Sequence, residues 1–240
     1  MASRAAVGVS PRTLCVDIGG SGIKTMVVSL QGDPLSERSR IQTPRPATAR
    51  AVVSALRSVA PDPSGFERVS VGFPGVVREG VVFTAPNLDP SWAGFDLAAA
   101  LRKATDRPVR VLNDAGVQGH GVIHGRGVEI CITLGTGFGF ALFVEGRYVP
   151  NIELGHHPFR KGKTYEDLLG NAALEKRGRK RWQRTLLKAV DQLQRTFNFD
   201  ALFVGGGNAA KLTVELPANV KRVENVSGLL GGVKLWERDG

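Results

Sequence analysis

The sequence predicts an α/β fold with two related lobes and a cleft between them, on two observations. A pair of apolar strands joined by a glycine-rich turn occurs twice, at 13–30 and at 129–144. Elsewhere strand-like and helix-like segments alternate, as in a sheet covered by helices. We therefore place an N-terminal lobe at 13–113 and a C-terminal lobe at 114–240, after a disordered lead at 1–12. Ligands of such sheets gather where strands end, so the glycine turns are expected to face the cleft.

In the first half, apolar runs of strand length and apolar residues at helical spacing predict the elements in turn. Strands are predicted at 13–18, 23–30, 35–42, 69–73 and 109–112, helices at 48–59, 96–105 and 115–124, and a hairpin at 76–84. The first of these helices carries Val52, Leu56 and Val59 on one face. Asp96 is expected to cap the second, because an aspartate oxygen can accept a bond from a free N–H of the first turn.

The second half repeats the alternation. Strands are predicted at 129–134, 138–144, 147–149 and 201–204, and helices at 164–177, 180–197 and 226–237. Glycines at three positions of the last helix disfavour it, since glycine is a poor helix former. This last helix could pack back on the N-terminal lobe.

Composition narrows the classes of partner and compartment. The chain has 240 residues and a formal net charge of +10. A strongly basic surface attracts polyanions such as nucleic acid, anionic lipid or polyphosphate, although it also serves plain solubility. Two cysteines, Cys15 and Cys131, each within an apolar run, are too few for a disulfide framework or a cysteine-based zinc site. With no apolar run of about 18 residues, we expect a cytoplasmic protein with no membrane partner.

Three glycine-rich turns follow apolar strands and are candidate phosphate-binding sites. They contain Gly19, Gly20, Ser21 and Lys24; Gly135, Thr136 and Gly137; and Gly205, Gly206 and Gly207. Without a Cβ, glycine lets successive backbone N–H groups face an anion. An ordinary hairpin explains one such turn, whereas three of them at strand ends favour phosphate binding. None has the Gly-Lys-Ser/Thr ending of a Walker loop.

Two aspartates at strand ends are candidates for chemistry. Asp17 precedes the first glycine turn, where a carboxylate can hold Mg²⁺ beside bound phosphates, directly or through water; the alternative is a turn aspartate that caps its own backbone. Asp114 is a candidate general base, which would accept the proton of an attacking hydroxyl. Its alternative role is the N-cap of the following helix. Asn113, beside it, could orient the hydroxyl compound.

The segment 153–157 is a polar cluster after the second hairpin. Glu153 could accept hydrogen bonds from two neighbouring hydroxyl groups, and His156 could contribute another. A metal site is the alternative, but His156 and His157 are adjacent in sequence and would rarely face one ion together. Binding of a polyhydroxyl compound is therefore favoured over a metal.

A strongly basic segment runs from residue 160 to residue 188. It contains Arg160, Lys161, Lys163, Lys176, Arg177, Arg179, Lys180, Arg181, Arg184 and Lys188. Such a face could contact the phosphates of polyphosphate or of a nucleotide. The alternative is a solvated helix surface, which would account for most of these residues.

Four of these segments, in this order, resemble the ROK family of bacterial sugar kinases and repressors. They are DIGGSGIK at 17–24 and LGTG at 134–137, similar to its phosphate motifs, VLNDA at 111–115, similar to its catalytic segment, and ELGH at 153–156, similar to its sugar-binding signature. The stretch 72–77, together with Asn87 and Trp92, is most like the polyphosphate glucokinase branch. The resemblance extends from about residue 13 to residue 232, nearly the whole chain.

The resemblance implies an actin-like ATPase fold, related to ribonuclease H, and a kinase activity. Asp114 would deprotonate the 6-hydroxyl of glucose or a related hexose, and ATP or inorganic polyphosphate would be the donor. The sugar would be held by Asn87, Asn113, Glu153 and His156. The turn 205–207 would lie near the nucleotide, and Mg²⁺ would bridge the phosphates near Asp17. A homodimer is compatible with the resemblance.

Three departures from the family pattern qualify these expectations. Many members carry a cysteine-rich zinc loop after the glycine-histidine signature, but 158–170 has no cysteine, so no structural zinc is expected. A second sugar-binding glutamate is common in the family, and Glu166 and Glu175 are the candidates here. Repressor members carry a helix-turn-helix before the first strand; the segment there is short, so no specific nucleic-acid partner is expected.

Two functions therefore stand as hypotheses. The first is a sugar kinase that uses Asp114 as its base. The second is a non-catalytic sugar- or polyanion-binding protein on the same fold, since a fold does not guarantee its chemistry. The high net charge and the unassigned second glutamate motivate the second hypothesis.

Overall fold

The computed structural model describes residues 11–223 and 227–237, without the side chains of 227–230. The strands are β1 (Thr13–Ile18), β2 (Ile23–Val28), β3 (Ser39–Ile41), β4 (Arg68–Phe73), β5 (Val77–Arg78), β6 (Val81–Val82), β7 (Val109–Asn113), β8 (Val128–Leu134), β9 (Phe138–Val144), β10 (Arg147–Val149), β11 (Pro158–Arg160), β12 (Lys163–Thr164), β13 (Ala201–Gly205) and β14 (Val220–Arg222). The helices are α1 (Ala49–Val59), α2 (Leu97–Thr105), α3 (Asp114–His120), α4 (Tyr165–Leu169), α5 (Asn171–Arg177), α6 (Arg179–Phe197) and α7 (Ser227–Lys234). Residues 1–10 of the predicted lead and residue 226 of the predicted last helix lie outside the described residues.

Two five-stranded sheets of the same design organise these elements. The first has the order β3-β2-β1-β4-β7 and the second the order β10-β9-β8-β13-β14. In each, a strand pairs antiparallel with the next strand of its hairpin and parallel with a later strand on its other side. In the first sheet Asp17 is in register with Gly72, and Gly72 with Leu112. The repeated strand–turn–strand pattern of the sequence is thus confirmed, and the carboxyl ends of β1, β4 and β7 share one edge.

Helix α6 shows why the second half has a stable core. Its buried residues recur every three or four positions and are Trp182, Gln183, Thr185, Leu186, Ala189, Val190 and Leu193. Most of them pack with the fully buried Ile130 and Ile132 of β8 in one apolar cluster, and each large apolar side chain so buried contributes about 1.5–3 kcal/mol. The indole Nε1 of Trp182 donates to the carbonyl of Leu169 at 2.8 Å, which ties α4 to α6.

The predicted helix at 164–177 is two helices, α4 and α5. Thr164 and Asp167 form a capping box that fixes the start of α4. The chain then breaks at Gly170, where ψ is 171°. A side chain at Gly170 would lie within 2.8 Å of the carbonyl oxygen of Thr136. The break therefore lets the start of α5 approach the second glycine turn, and the backbone N–H of Asn171 donates to the carbonyl of Gly135 at 2.9 Å.

Other predicted elements differ in extent. The predicted strand at 35–42 is limited to β3. Pro34 forms an isolated bridge with Val28, and the chain then leaves the sheet until β3 begins at Ser39. The predicted helix at 115–124 begins one residue earlier and ends at His120, where Gly121 follows as its C-cap. Strands β11, β12 and β14, of two or three residues each, were not predicted. Asp96 caps α2 as predicted and accepts from the backbone N–H of Ala99 at 2.7 Å.

Helix α7 packs against α3 and against β1 and β4 of the first sheet. The hydroxyl of Ser70 donates to the carbonyl of Gly232, and the indole of Trp236, just after α7, donates to the Ser70 hydroxyl at 2.7 Å. The guanidinium groups of Arg68 and Arg110 lie over the Trp236 ring, 5.2 and 4.5 Å from its centroid. Helix α7 and Trp236 are thereby anchored to the sheet of the N-terminal half. None of the helices within the described ranges combines the length and apolar character needed to cross a bilayer.

Candidate active site

Two cavities adjoin each other at the edge where the strands end. The Asp17 cavity, of about 320 Å³, contains Asp17. The Glu153 cavity, of about 400 Å³, contains Glu153. Asp114, Thr133 and Gly135 line both cavities. A side chain at this meeting point can contact a ligand in each cavity, which is what transfer of a group between two ligands requires.

Asp114 is held at the meeting point by the junction of β7 and α3. Asn113 is the N-cap of α3, and its Oδ1 atom accepts from the backbone N–H groups of Ala115 and Gly116 at 3.0 and 3.3 Å. The alternative role considered for Asp114, that of N-cap, thus belongs to Asn113. Asp114 Oδ1 accepts from the backbone N–H of Ala115 at 2.7 Å. Gly72 of the neighbouring strand lies beside it, since a Cβ there would be in van der Waals contact with Asp114, 3.5 Å from its Cα.

The electrostatic environment of Asp114 is unusual for an aspartate. Burial, and then the charge of Asp17, raises the pKa of Asp114 to about 7. The charge of Glu153 acts in the same direction, whereas the bond from the Ala115 N–H opposes it. A carboxylate with a pKa near neutrality is a stronger base than an ordinary aspartate and is still partly ionised at neutral pH. Both properties suit a general base.

Asp17 and Lys24 face each other across the β1–β2 hairpin. Their side chains form an ion pair, with Lys24 Nζ 2.7 Å from Asp17 Oδ2, and the Asp17 side chain is 43% exposed. No hydrogen bond from the described backbone reaches the Asp17 carboxylate, so it does not cap its own turn there. The pair places one anionic and one cationic group in the Asp17 cavity, both within reach of a ligand.

The residues around Asp17 fit Mg²⁺ only at a site where a bound substrate and water supply the other ligands. Among the described residues no three His, Cys, Asp or Glu side chains converge as metal ligands. Mg²⁺ is commonly held by one or two carboxylates together with substrate phosphates and water. The partly exposed carboxylate of Asp17 fits the part of the single protein ligand in such an arrangement.

The three glycine turns are distributed over both cavities. Gly20, Ser21, Thr136 and Gly137 line the Glu153 cavity, Gly206 and Gly207 line the Asp17 cavity with Lys24, and Gly135 lines both. Gly19 and Gly205 are not among the lining residues of either cavity. The N–H of Gly19 closes a turn to the carbonyl of Gly22 at 3.0 Å, and Gly205 packs against the side chain of Gln118. These two glycines therefore shape the turns, while their neighbours face the cavities.

Two glycines are required by close approaches. At Gly137 a Cβ would overlap the carboxylate of Glu166, whose Oε2 atom accepts from the backbone N–H of Phe138 at 3.3 Å. At Gly206 the backbone has φ 86°, and a Cβ would overlap the backbone of Leu134. The second turn is thus covered by Glu166 on one side and by the third turn on the other.

Polar side chains from several segments converge in the Glu153 cavity. Glu153 Oε1 lies 3.5 Å from Asn113 Nδ2, and Glu153 Oε2 lies 3.9 Å from His156 Nε2. Burial raises the pKa of Glu153, which the charge of His156 opposes and that of Glu166 reinforces. Asn87, which is exposed, lines the same cavity. Carboxylate, amide and imidazole groups in one cavity can bind several hydroxyl groups at once.

Glu166 and Glu175, the two candidates for a second carboxylate, occupy different places. Glu166 lines the Glu153 cavity. Glu175 is exposed on α5 and accepts from the side chain of Asn171 at 2.6 Å. The geometry therefore favours Glu166.

Sequence reasoning missed six polar residues that line the cavities. Thr25, Arg38, Ser70 and Gln118 line the Asp17 cavity, Arg45 lines the Glu153 cavity, and Thr133 lines both. Thr133 could have been found, because it is a polar residue in an otherwise apolar strand that leads into a glycine turn. The two arginines carry no such signal, since they flank the short strand β3 and belong to no motif.

Comparison with known proteins places this arrangement in a wider context. Residues 13–177 match the model of the ROK family. The polyphosphate glucokinase of Mycobacterium tuberculosis is 30% identical over 233 residues, which are 90% of this chain and 88% of that protein. A glucokinase of Streptomyces coelicolor is 35% identical over 159 residues, which are 60% of this chain and 49% of that protein.

Solved structures extend the likeness to the fold. The inorganic polyphosphate/ATP-glucomannokinase of Arthrobacter sp. strain KM has a TM-score of 0.84 at 32% identity, over 95% of this chain and 100% of that one. A ROK family glucokinase of Streptomyces griseus, solved with glucose and AMPPNP, has a TM-score of 0.74 at 22% identity, over 93% of this chain and 98% of that one. The predicted fold class, a two-lobed actin-like α/β fold, is confirmed by these likenesses.

Proposed function

Because this chain is a member of the ROK family and a sugar kinase, we propose that Asp114 is the general base of its phosphoryl transfer. The acceptor is the 6-hydroxyl of glucose or a related hexose, and the donor is ATP or inorganic polyphosphate. The enzyme is thus a phosphotransferase with an alcohol group as acceptor. The observation that carries the proposal is the position of Asp114 where the Asp17 and Glu153 cavities meet.

The sugar occupies the Glu153 cavity in this proposal. Glu153 and Glu166 accept hydrogen bonds from sugar hydroxyl groups, and Asn87, Asn113 and His156 contribute further polar contacts. Each cavity carboxylate can accept from two hydroxyl groups, because its two oxygens offer several lone pairs. A compound with fewer hydroxyl groups would leave these partly buried groups unpaired and would bind less well.

The phosphoryl donor occupies the Asp17 cavity. The backbone of the turns at Gly135 and at 206–207 borders this cavity, and Lys24 supplies a positive charge to it. These groups support binding of a phosphate chain, since backbone N–H groups and a lysine both attract phosphate oxygens. A bound Mg²⁺ would be held by Asp17 and would neutralise charge on the donor phosphates.

The proton and the phosphoryl group then move in opposite directions. As the 6-oxygen of the sugar forms its bond to phosphorus, its proton passes to the carboxylate of Asp114. The bond from phosphorus to the bridging oxygen of the donor breaks, and the leaving group is ADP or a polyphosphate shortened by one unit. The raised pKa of Asp114, about 7, supports this step because a base near neutrality is matched to proton transfer at that pH.

Replacement of Asp114 by asparagine tests the proposal. Asp114→Asn is expected to lower kcat for hexose phosphorylation by roughly 10²-fold or more, because no group accepts the proton. Sugar affinity, measured by calorimetry, should change little. A panel of hexoses crossed with ATP and polyphosphate identifies the substrates on which the rates are measured. In the unmodified enzyme kcat/KM should decline as pH falls through about 7, as the free base is protonated.

Asp106→Asn is the matched control. Asp106 is exposed, lies outside both cavities and has φ 53°, a conformation that asparagine also accepts. This variant should retain full activity. If Asp114→Asn phosphorylated hexose as fast as Asp106→Asn with either donor, Asp114 would not be the base.

A further inference from the structure

We propose that a basic groove outside the two catalytic cavities binds an extended chain of inorganic polyphosphate. The groove has a volume of about 780 Å³ and is formed by the β11–β12 hairpin and helices α4, α5 and α6. Its lining is Arg160, Lys161, Lys163, Asp167, Leu168, Ala172, Ala173, Lys176, Arg177, Arg181, Arg184, Thr185 and Lys188. It shares no residue with the lining of the Asp17 or the Glu153 cavity.

The groove concentrates positive charge. Eight lysine and arginine side chains and a single carboxylate line it, while the whole chain has a net charge of +10. The carboxylate, Asp167, is engaged in the capping box of α4 and accepts from the backbone N–H of Thr164 at 3.0 Å. Within the described ranges, none of the eight cationic side chains forms an ion pair with a carboxylate. Their charge is therefore available to an external anion.

Arg177 supplies an independent indication of a ligand. Its Nη1 atom is buried, yet it has no hydrogen-bond partner among the described residues. A buried guanidinium nitrogen without an acceptor is unfavourable, and most such groups in folded proteins are paired. Arg177 lines the groove, so a small rotation of its guanidinium group would let a phosphate oxygen there serve as the missing acceptor, in the charge-assisted geometry that guanidinium groups favour.

The arrangement of the cations favours an elongated anion. Arg181, Arg184 and Lys188 lie three and four residues apart on α6, so they project from the same face. Along the helix they span about 10 Å at 1.5 Å per residue. Lys176 and Arg177 of α5 line the same groove. A row of positive charges of this length matches several consecutive phosphates better than a single phosphate ion.

Helix α4 and the start of α5 separate the groove from the catalytic site. Glu166 of α4 lines the Glu153 cavity, whereas its neighbours Asp167 and Leu168 line the groove. At the start of α5, Asn171 contacts the glycine turn at Gly135, whereas Ala172 and Ala173 line the groove. The groove would thus hold a part of the polyphosphate that is remote from the reacting phosphate. The choice of polyphosphate rests on the proposed function, in which it is a donor.

Removal of the three positive charges of α6 that line the groove, those of Arg181, Arg184 and Lys188, tests the proposal. The variant Arg181→Gln/Arg184→Gln/Lys188→Gln is compared with Arg50→Gln/Lys103→Gln/Lys221→Gln, which removes three exposed cations that line none of these cavities. Binding of long-chain inorganic polyphosphate, of tripolyphosphate and of a single-stranded oligonucleotide is measured over a range of salt concentrations. We expect the α6 variant to lose about tenfold or more in affinity for long-chain polyphosphate, with a shallower salt dependence. The control variant should lose less than about threefold.

The other outcomes are equally informative. Equal losses in both variants would show attraction by net charge alone and would overturn the proposal. An equal loss for tripolyphosphate would assign the groove to a short anion, and tighter binding of the oligonucleotide would assign it to nucleic acid; either result contradicts an extended polyphosphate site.

Turnover with ATP separates this proposal from the proposed function. The α6 variant should phosphorylate hexose from ATP at the unmodified rate, because the groove contributes nothing to the Asp17 and Glu153 cavities. Absence of hexose phosphorylation in the unmodified enzyme would reject the proposed function, while the binding comparison would still stand. Unchanged binding of long-chain polyphosphate by the α6 variant would reject the groove alone.

Discussion

At the scale of single residues, Asp114 combines a functional requirement with a cost in stability. The proposed general base must be ionised when substrate arrives, but burial and the nearby Asp17 carboxylate disfavour the charge of Asp114. The folded chain therefore holds a proton on Asp114 at pH values where the unfolded chain has lost it. Stability contributed by this site is highest at low pH and declines as pH rises from about 4, the usual aspartate value, to about 7.

Asp114→Asn should therefore stabilise the protein above pH 7. Asparagine has no charge to desolvate, and its Oδ1 atom can still accept from the Ala115 N–H. We expect the free energy of unfolding to rise by about 1–3 kcal/mol at pH 8, with the difference fading towards pH 4. Urea unfolding at several pH values measures it, with Asp106→Asn as the reference. An Asp114→Asn protein that was less stable than the unmodified one at pH 8 would show that the carboxylate is not held unfavourably.

At the scale of elements, the strands, turns and helix caps that could be predicted from the sequence are those with strong local signals. Runs of apolar residues marked β1, β4, β7, β8 and β13, and the glycine clusters after three of these strands marked the turns. The N-cap Asp96 is a local interaction of one side chain with the next turn, so it could be read without any tertiary context. That Asp114 would lie near the first glycine turn could be expected, because Asp114 and that turn follow parallel strands, β7 and β1, whose carboxyl ends share one edge of the sheet.

What the sequence did not reveal depends on contacts between distant segments. The break at Gly170 lies against the backbone of Thr136, more than thirty residues earlier in the chain, where a side chain at position 170 would come within 2.8 Å of the Thr136 carbonyl oxygen. The choice between Glu166 and Glu175 depends on which side of that break faces the Glu153 cavity. Arg38 and Arg45 reach the cavities from a loop region with no motif, so only the folded structure identifies them.

Asn208 connects the second and third glycine turns and gives a prediction at this scale. It is buried, and its side-chain amide donates to the carbonyl of Gly135 at 3.2 Å and to the side chain of Asn171 at 3.3 Å. Asn208→Ala should lower the free energy of unfolding by about 1–3 kcal/mol, because it removes both hydrogen bonds of this buried amide. It should also raise KM for the phosphoryl donor several-fold, because Gly135 lines the Asp17 cavity.

Asn219→Ala is the control for this effect. Asn219 donates to Gln194 at 2.9 Å, lies beside the start of β13 and so at the opposite end of that strand from its glycine turn, and lines neither the Asp17 nor the Glu153 cavity. Its loss should affect stability without changing KM. The interpretation fails if both variants, or neither, change KM for the donor, as measured by steady-state kinetics with ATP.

At the scale of the whole molecule, helix α7 connects the two halves. It lies late in the chain but packs on α3 and on β1 and β4 of the first sheet. Helix α3 begins with Asp114, so α7 supports the element that positions the proposed base. A chain whose last helix returns to its first sheet is expected to unfold as one cooperative unit rather than lobe by lobe.

Trp236 is the residue that tests this coupling. Its indole donates to Ser70, and its ring lies beneath the guanidinium groups of Arg68 and Arg110. Trp236→Ala removes the ring, the hydrogen bond and both cation–π contacts, and should lower the free energy of unfolding by about 2–4 kcal/mol. Trp236→Phe keeps an aromatic ring and removes the hydrogen bond, so it should cost about 1 kcal/mol.

Urea unfolding followed by circular dichroism and by near-ultraviolet absorbance should give a single coincident transition in the unmodified protein. If Trp236→Ala unfolds no more easily than Trp236→Phe, or if the unmodified protein shows two separate transitions, helix α7 and Trp236 do not couple the two halves.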